Sequence, residues 1–380
     1  MSIPDPKSAP EAPKKRALRY RLDRLMRRLV MGGILGLAPR RQPISLDLRG
    51  QDLKRILLVR ANFRMGNAVL TLPAVAAFRR RYPQARIDYL GSPMSRLLFL
   101  NQPLDHHYEA PRRFPQVLWQ YPRLIRHLRA TGYDLALDLS CSQSALAALI
   151  IGLSGARIRA GSAGKWDALY DVRVEKSAES NKYRKLTRLL QTMGLEGVAE
   201  VGRIEFSASE LDEGRAVFAR AVGKVSGPVV GVFIGGRKLR GKRWPLENFV
   251  EVVVGLSRRG YRVVTFLGPE EADLKDEIKG ALGPDAILVA EPSARRFAVL
   301  VSQLDLFICC DSGPMHLACA VGVRVLAIFR ERDLKRWSPP ASVARTVSAA
   351  GPVSPNAVLE AAWQELSEGS RTRMSDAPTG

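Results

Sequence analysis

The chain has 380 residues, which is long for one domain and suits two, and its 46% hydrophobic and 25% charged residues make a globular composition. The 31 glycines and 24 prolines follow no period, which excludes collagen-like and low-complexity chains, and four cysteines are too few for a disulfide framework at this length. With 59 basic against 37 acidic residues the net charge is +22, so the expected partners are polyanions: phosphorylated substrates, an anionic membrane or nucleic acid.

Much of the positive charge lies in residues 1–60, which hold 15 Lys and Arg but 5 Asp and Glu. Residues 1–13 are rich in Pro, Ser and Ala and are expected to be disordered. Residues 14–31 have apolar residues at helical spacing and arginines around the rest of the wheel. The apolar residues are Leu18, Leu22, Leu25, Met26 and Leu29, and the arginines are Arg16, Arg19, Arg21, Arg24, Arg27 and Arg28. We expect a basic amphipathic helix that contacts an anionic membrane surface through residues 14–37.

Three other interpretations of this segment stay open. It could dock on the protein's own body, bind nucleic acid, or be a signal peptide, although no convincing small-residue cleavage site follows Leu37. No uncharged apolar run in the chain approaches the roughly 18 residues that a spanning helix needs. The cysteines form no Cys-x-x-Cys pair and no His/Cys cluster, so no metal site is expected. A reducing, cytosolic location is the default.

From Lys54 onward, short apolar runs alternate with segments of helical spacing. In the first half the predicted strands are 55–60, 86–90, 134–139 and 156–160, and a helix is predicted over 68–81. The second half repeats this plan, with strands at 229–233, 261–267, 286–290, 306–310 and 323–329, a helix over 245–259 and another that begins near Met315. Strands that alternate with helices indicate parallel βαβ units.

The fold class predicted is α/β, with two Rossmann-like doubly wound domains facing a central cleft. The expected divisions are 1–50 for the basic N-terminal extension, 51–225 for the first domain, 226–365 for the second, and 366–380 for a disordered tail. In such sheets ligands bind outside the carboxyl ends of the strands.

The segment 311–318, Asp-Ser-Gly-Pro-Met-His-Leu-Ala, joins a strand to a helix. Free N–H groups at a helix N-terminus, together with Ser312 and Gly313, make an anion site, and His316 in the first turn is placed to contact a phosphate. The structural alternative is that Asp311 or Ser312 only caps the helix and that His316 is an inward polar residue.

Two further segments follow strands. Residues 237–245 contain five basic residues, of which Lys242 is the best candidate to neutralise a diphosphate, with a solvated loop as the alternative. Glu270 or Glu271, after a strand that ends at Leu267, is placed to accept hydrogen bonds from ribose hydroxyls. No P-loop sequence, no Gly-x-Gly-x-x-Gly after a strand and no Ser-His-Asp set is recognisable.

Taken together, these segments resemble the heptosyltransferases of glycosyltransferase family 9, from about Arg55 to Pro339. The segments that carry the resemblance are Ile56-Leu-Leu-Val-Arg60 with Met65-Gly-Asn-Ala-Val-Leu-Thr-Leu-Pro73, Lys242-Arg-Trp-Pro245, and Asp311-Ser-Gly-Pro-Met-His-Leu-Ala318, the last being the most specific. The resemblance implies a GT-B fold and an inverting, metal-independent transfer without cofactor. It implies a nucleotide-diphosphate sugar donor, usually ADP-heptose, and as acceptor the lipopolysaccharide core or a related lipid-linked glycan.

The resemblance also implies that the second domain holds the donor and the first domain the acceptor. The implied roles are diphosphate binding by Lys242, a phosphate site lined by Ser312, Gly313 and His316, a donor pocket with Asp311, and ribose binding by Glu270 or Glu271. A lipid-borne acceptor at the inner leaflet fits the basic helix and predicts a cytoplasmic protein, peripheral on the inner face of the inner membrane.

Two positions depart from the family pattern. Asn67 stands where the family has an Asp general base, and a carboxamide cannot take a proton from an acceptor hydroxyl. Either another carboxylate such as Asp138 substitutes, or Asn67 only orients the acceptor, or the enzyme is slow or inactive; Asp138 could equally be a structural strand-end carboxylate. Arg330 stands where the family commonly has Gly, so the transferred sugar need not be heptose.

Three alternatives to this function stay open. The same fold could use a UDP- or GDP-sugar, or the chain could bind a nucleotide sugar without catalysis, having lost its base at Asn67. A nucleic-acid binder ranks last and is not expected, because no zinc-finger spacing or RNP-like aromatic run accompanies the charge.

Overall fold

The computed structural model describes residues 43–111, 116–223, 227–235 and 243–375, and within them the strands form two parallel six-stranded sheets. The first sheet contains β1 Arg55–Val59, β2 Arg86–Gly91, β3 His106–Glu109, β4 Leu135–Asp138, β5 Ile158–Ser162 and β6 Val172–Val174. The second contains β7 Val229–Ile234, β8 Arg262–Leu267, β9 Ile287–Val289, β10 Leu306–Cys310, β11 Arg324–Arg330 and β12 Ala344–Ala349.

Both sheets have the same doubly wound strand order. The first runs β3-β2-β1-β4-β5-β6, and the second, β12-β11-β10-β7-β8-β9, is that order read from the other edge. Strands covered on both faces are continuous apolar runs, and all five residues of β10, Leu-Phe-Ile-Cys-Cys, are buried. The winding reverses between β1 and β4 and between β7 and β10, so each sheet has a crevice at that point of its carboxyl edge.

Helices connect the strands and cover both sheets. In the described ranges they are α1 Met65–Val69, α2 Leu72–Arg81, α3 Pro93–Leu98, α4 Val117–Thr131, α5 Ala145–Leu153, α6 Lys182–Thr192, α7 Ala208–Val222, α8 Leu246–Arg258, α9 Lys275–Leu282, α10 Ala294–Val301, α11 Gly313–Ala320, α12 Glu331–Trp337 and α13 Pro355–Ser375. The prediction of a single helix over 68–81 is wrong, because the chain forms two helices there, α1 and α2, with a break between them. Pro73 lies at the start of α2, and a proline ring clashes with the carbonyl four residues earlier in a continuous helix.

The nine predicted strands lie within about two residues of their expected positions. The sequence analysis missed β3, β6 and β12, and all three are edge strands. An edge strand pairs on one side only and is less completely covered, so it needs no continuous apolar run. β3 reads His-His-Tyr-Glu and has a single buried residue.

Two predicted divisions of the chain fall next to helices whose packing the structure describes. Helix α7 precedes the expected boundary at 225 but packs on the second half, where Gly214 lies so close to α10 that an added Cβ would be 2.1 Å from Val299 Cγ1. Helix α7 also contacts the first half, because Asn101 Nδ2 donates to Glu210 Oε2 over 2.9 Å, so the boundary at 225 stays a prediction. The tail predicted from 366 begins inside α13, which extends to Ser375, and Leu366 is buried against the second core.

The two halves pack directly on each other. Buried Arg295 of α10 donates to the Leu98 carbonyl at the end of α3, over 3.0 Å, and the Ile204 N–H donates to the Ala320 carbonyl at the end of α11, over 2.9 Å. Cys309, Cys310 and Cys319 are buried, whereas Cys141 is half-buried. Among the described helices, none combines the length and apolar character needed to cross a bilayer. The basic helix predicted within residues 14–37 lies outside the described residues.

Candidate active site

The first loop and the 311–318 segment meet where the two halves touch. Helix α1, which follows β1, packs against α11, which follows β10. A Cβ on Gly66 would lie 2.6 Å from His316 Cδ2, and one on Gly313 would lie 2.9 Å from Met65 Cε. These two glycines permit the close approach of the helices, so the structure brings together the two most informative segments of the sequence.

His316 lies inside this junction and is 4% exposed. Its Nδ1 lies 2.5 Å from the Tyr183 hydroxyl, and its ring centroid is 6.0 Å from that of Trp337. Its Cδ2–Nε2 edge is the part nearest to Gly66. His316 is therefore buried, as the alternative of an inward polar residue expects. Its ring, however, lies between the two halves rather than in the core of either.

Ser312 occupies the N-cap position of α11, but its side chain makes no cap hydrogen bond. Its Oγ is buried and has no hydrogen-bond partner among the described residues. Buried hydroxyls in proteins are almost always satisfied, so this oxygen marks a place where a ligand group or water belongs. The capping alternative for Ser312 is not supported. Asp311 precedes it, partly exposed, with its N–H donated to the Ile328 carbonyl over 3.2 Å.

The two carboxylates after β8 have different surroundings. Glu270 is exposed, whereas Glu271 is 1% exposed and its Oε1 lies 3.8 Å from Arg243 Nη1. Glu271 Oε2 is 2.5 Å from where a Cβ on Gly268 would be, and 3.1 Å from one on Gly235. Glu271 therefore lies buried at the carboxyl ends of β7 and β8 beside Arg243, whereas Glu270 is the carboxylate of the pair that faces outward. Lys242 lies outside the described residues.

Asn67 is half-buried on α1, and its Nδ2 donates to Asn62 Oδ1 over 3.0 Å. The same Asn62 oxygen accepts the Arg64 N–H over 2.9 Å, which fixes the loop before α1. The side chain at the position of the expected base is thus held by another amide, and neither group takes up a proton at neutral pH.

Asp138, the proposed substitute base, ends β4 and is 1% exposed. Oδ1 accepts the Ser140 N–H over 2.8 Å and Oδ2 accepts the Tyr170 hydroxyl over 3.0 Å. Burial raises the pKa of Asp138, although the donors from Ser140 oppose that shift. A carboxylate enclosed in this way does not reach an acceptor hydroxyl, so its geometry favours the structural alternative.

The sequence analysis did not identify a group of residues beside His316. Two cations lie near the ring of Trp337 of α12: Lys182 Nζ is 5.9 Å and Arg336 Cζ is 5.4 Å from its centroid. Burial lowers the pKa of Lys182, and the nearby positive charges of Arg336 and Lys185 lower it further. No motif marks these positions, because the first half supplies Lys182 and the second half supplies Trp337.

Arg330, the second departure from the family pattern, ends β11. Its Nε donates to Asp333 Oδ2 of α12 over 3.0 Å. The guanidinium therefore lies against the helix that carries Trp337, at the carboxyl edge of the second sheet. A glycine at this position would leave that space open.

The arrangement combines a helix N-terminus, an unsatisfied hydroxyl, a buried imidazole and nearby cations at the junction of two doubly wound sheets. Such a junction can bind a phosphorylated ligand, because the helix N-terminus and the cations both favour negative charge. Two Rossmann-like domains with a site between them define the GT-B class of glycosyltransferases.

The sequence profile of glycosyltransferase family 9, the heptosyltransferases, matches residues 121–365. The chain belongs to this family and is a glycosyltransferase. Among its curated relatives, lipopolysaccharide heptosyltransferase 3 of Escherichia coli is 24% identical over 288 residues, which cover 72% of this chain and 83% of that protein. Lipopolysaccharide heptosyltransferase 2 of E. coli K12 is 25% identical over 297 residues, or 73% and 83% of the two chains.

Solved structures show the same fold. A family 9 glycosyltransferase from Veillonella parvula superposes with a TM-score of 0.75 at 19% identity, covering 86% of this chain and 99% of that one. The ADP-heptose lipopolysaccharide heptosyltransferase II of E. coli superposes with a TM-score of 0.68 at 22% identity, covering 83% and 99%. The predicted α/β fold class, with two Rossmann-like domains in a GT-B arrangement, is confirmed.

Proposed function

We propose that the chain is an inverting, metal-independent heptosyltransferase that moves heptose from ADP-heptose to a lipopolysaccharide core or a related cell-envelope glycan. The observation that carries the proposal is the junction of α1 and α11, where the buried Ser312 Oγ has no partner among the described residues. Family membership and the names of the curated relatives support the same reaction. An E. coli heptosyltransferase solved with ADP, with a TM-score of 0.65 at 16% identity, supports the fold on which the proposal rests.

In this reaction the acceptor hydroxyl oxygen attacks the anomeric carbon from the face opposite the diphosphate. The new C–O bond forms as the bond from the anomeric carbon to the diphosphate breaks, and the configuration inverts. We assign stabilisation of the departing diphosphate to Lys242, His316, Ser312 and the N–H groups that begin at Gly313. Asp311 lines the donor pocket, and Glu270 or Glu271 accepts hydrogen bonds from the ribose.

The surroundings of Asn67 and Asp138 suggest where the proton of the acceptor hydroxyl goes. Since Asp138 is enclosed and Asn67 is not a base, we propose that Asn67 orients the acceptor hydroxyl and that the proton leaves to solvent. General-base catalysis contributes roughly 10² to 10⁴ in rate, so turnover without it should be slow.

The charges beside Trp337 support an anionic acceptor. Lys182 and Arg336 approach the ring from the two halves. Within the described residues, neither side chain forms an ion pair with a carboxylate. Repulsion between such cations is relieved by a phosphate or carboxylate placed between them. A membrane-borne acceptor would also account for the basic residues 14–37, and we propose a cytoplasmic location, peripheral on the inner membrane.

The test is a nucleotide-release assay with ADP-, UDP- and GDP-sugars, each with and without deacylated core oligosaccharide. The expected result is acceptor-dependent release of ADP from ADP-heptose, unchanged by EDTA. Release of UDP or GDP would overturn the donor assignment and support the same fold with another sugar. Tight binding of one nucleotide sugar without release would overturn the catalytic proposal, and it would favour the non-catalytic binder that the amide at Asn67 suggests.

A further inference from the structure

Tyr183 makes a buried contact from one half of the molecule to the other. It is the second residue of α6, where Asn181 caps the helix by accepting the Tyr183 N–H over 2.9 Å. Its hydroxyl lies 2.5 Å from Nδ1 of His316 on α11, and the two rings are 5.4 Å apart between centroids. Both side chains are buried, so water does not compete for this hydrogen bond.

The direction of this hydrogen bond decides where the imidazole carries its proton. Burial raises the pKa of Tyr183 well above its usual range, so the hydroxyl keeps its proton at neutral pH. The hydroxyl also contacts the Cys319 thiol, but sulfur is a weak acceptor and an imidazole nitrogen a good one. The hydroxyl therefore donates to Nδ1, and the proton of a neutral ring must then be on Nε2.

The opposite edge of the ring lies at the junction of the two halves. The Cδ2–Nε2 edge of His316 faces Gly66, at 2.6 Å and 3.4 Å from an added Cβ, while Trp337 lies 6.0 Å away between centroids. An N–H on Nε2 is then a fixed donor at the contact of α11 with α1, about one helical turn along α11 from the unsatisfied Ser312 Oγ.

We propose that Tyr183 is a positioning residue that fixes His316 in the Nε2–H tautomer, so that the ring donates a hydrogen bond to the diphosphate of the sugar donor. The tyrosine comes from the half assigned to the acceptor and the histidine from the half assigned to the donor. The donor site is therefore completed only when the two halves are in contact. This inference rests on the proposed function for the identity of the ligand, but not for the state of the ring.

The first test needs no substrate. The chain has four histidines, so the ring ¹⁵N signals of histidine-labelled protein can be resolved and His316 assigned from a His316→Asn variant. The wild-type signal is expected to be that of the Nε2–H tautomer. In Tyr183→Phe it should move towards a mixture of tautomers. A wild-type ring protonated on Nδ1, or a His316 signal that Tyr183→Phe leaves unchanged, would overturn the proposal.

Kinetics give the second test. Tyr183→Phe should lower kcat by roughly 10- to 100-fold, by analogy with the loss of the hydrogen-bond partner of a metal-bound histidine, while the donor KM changes little. The control is Tyr82→Phe, which removes another buried hydroxyl, one that donates to the Leu48 carbonyl over 2.8 Å. Equal losses of kcat in the two variants would contradict the proposal. If no sugar donor is turned over, the proposed function fails, and the ring signal still decides the tautomer.

Discussion

At the scale of single residues, Asn67 stands where the resemblance implies an Asp general base. The amide is held by Asn62, and the enclosed Asp138 offers no replacement. The sequence alone predicted that an amide stands where the resemblance implies a general base. It did not identify the enclosure of Asp138, because the donor from Tyr170 comes from a loop 32 residues further along the chain.

Asn67→Asp should raise kcat by at least about tenfold, because it places a carboxylate where a general base contributes roughly 10² to 10⁴. The measurement is ADP release at saturating donor and acceptor. Asn62→Asp is the matched control, since it adds the same charge just before α1, at a position that accepts hydrogen bonds from the Arg64 N–H and from Asn67. If both variants turn over at the wild-type rate, Asn67 is not at the site of proton transfer.

Gly66→Ala should destabilise the protein by about 1 to 3 kcal/mol and weaken donor binding. The added methyl group would lie 2.6 Å from Cδ2 of His316, a buried ring that Tyr183 holds in place. Urea unfolding and nucleotide titration measure the two effects. Gly280→Ala in α9, where no atom lies within 4 Å of the added Cβ, should be neutral or slightly stabilising. A Gly66→Ala protein as stable as that control would show that α1 and α11 are not closely packed in solution.

At the scale of elements, apolar runs were sufficient to predict the strands that are covered on both sides. They were insufficient for β3, β6 and β12, because an edge strand is specified by one neighbour rather than by continuous apolarity. Prediction of the site residues was limited in a similar way, because patterns along the chain do not show contacts between distant segments. The segment 311–318 could be recognised because its chemistry is local, whereas Tyr183 and Trp337 belong to the site only through packing between α6, α11 and α12.

The contact of α7 with α10 makes stability depend on pH. Glu210 accepts hydrogen bonds from Arg295 over 2.7 and 2.8 Å, which is the main reason that its pKa falls from 4.5 to about 2. A carboxylate with a lower pKa in the folded state stabilises the fold above its unfolded pKa, and the contribution is lost as pH falls towards the folded value. The ion pair should therefore stabilise the fold fully at neutral pH and progressively less between pH 4.5 and 2.

Glu210→Gln should lower the free energy of unfolding by about 1 to 3 kcal/mol at pH 7, with the difference from wild type shrinking in acid. Urea unfolding at a series of pH values measures it. Asp212→Asn in the same helix removes an exposed pair with Arg215 and should change stability by less than about 0.5 kcal/mol. A Glu210→Gln difference that stays constant down to pH 3 would show that Arg295 does not hold this carboxylate ionised.

At the scale of the whole molecule, the positive charge is unevenly distributed along the chain. Residues 1–60 hold 15 basic and 5 acidic residues, which is a surplus of 10 out of the net +22. A surface-bound helix with several arginines gains about 1 kcal/mol per basic residue near anionic lipid, and salt weakens that attraction.

Deletion of residues 1–40 should greatly reduce binding to vesicles that contain anionic lipid, with no change in ADP release from a deacylated, soluble acceptor. Vesicle sedimentation at low and high salt measures binding, and vesicles of neutral lipid alone are the lipid control. A full-length variant with the six arginines of residues 14–31 changed to glutamine separates charge from length. Undiminished binding by the deleted protein would refute the membrane role of this segment.

The burial of Cys319 has a kinetic consequence. Its thiol contacts Tyr183 under the junction of the halves, and burial raises its pKa to about 12. Only an exposed thiolate reacts with alkylating reagents, so Cys319 is inert while the halves are together. Its rate of alkylation then measures how often the junction opens. A bound nucleotide sugar that holds the halves together should slow the alkylation of Cys319. The half-buried Cys141, whose thiol pKa burial also raises, to about 11, is the reference that the bound sugar should not change.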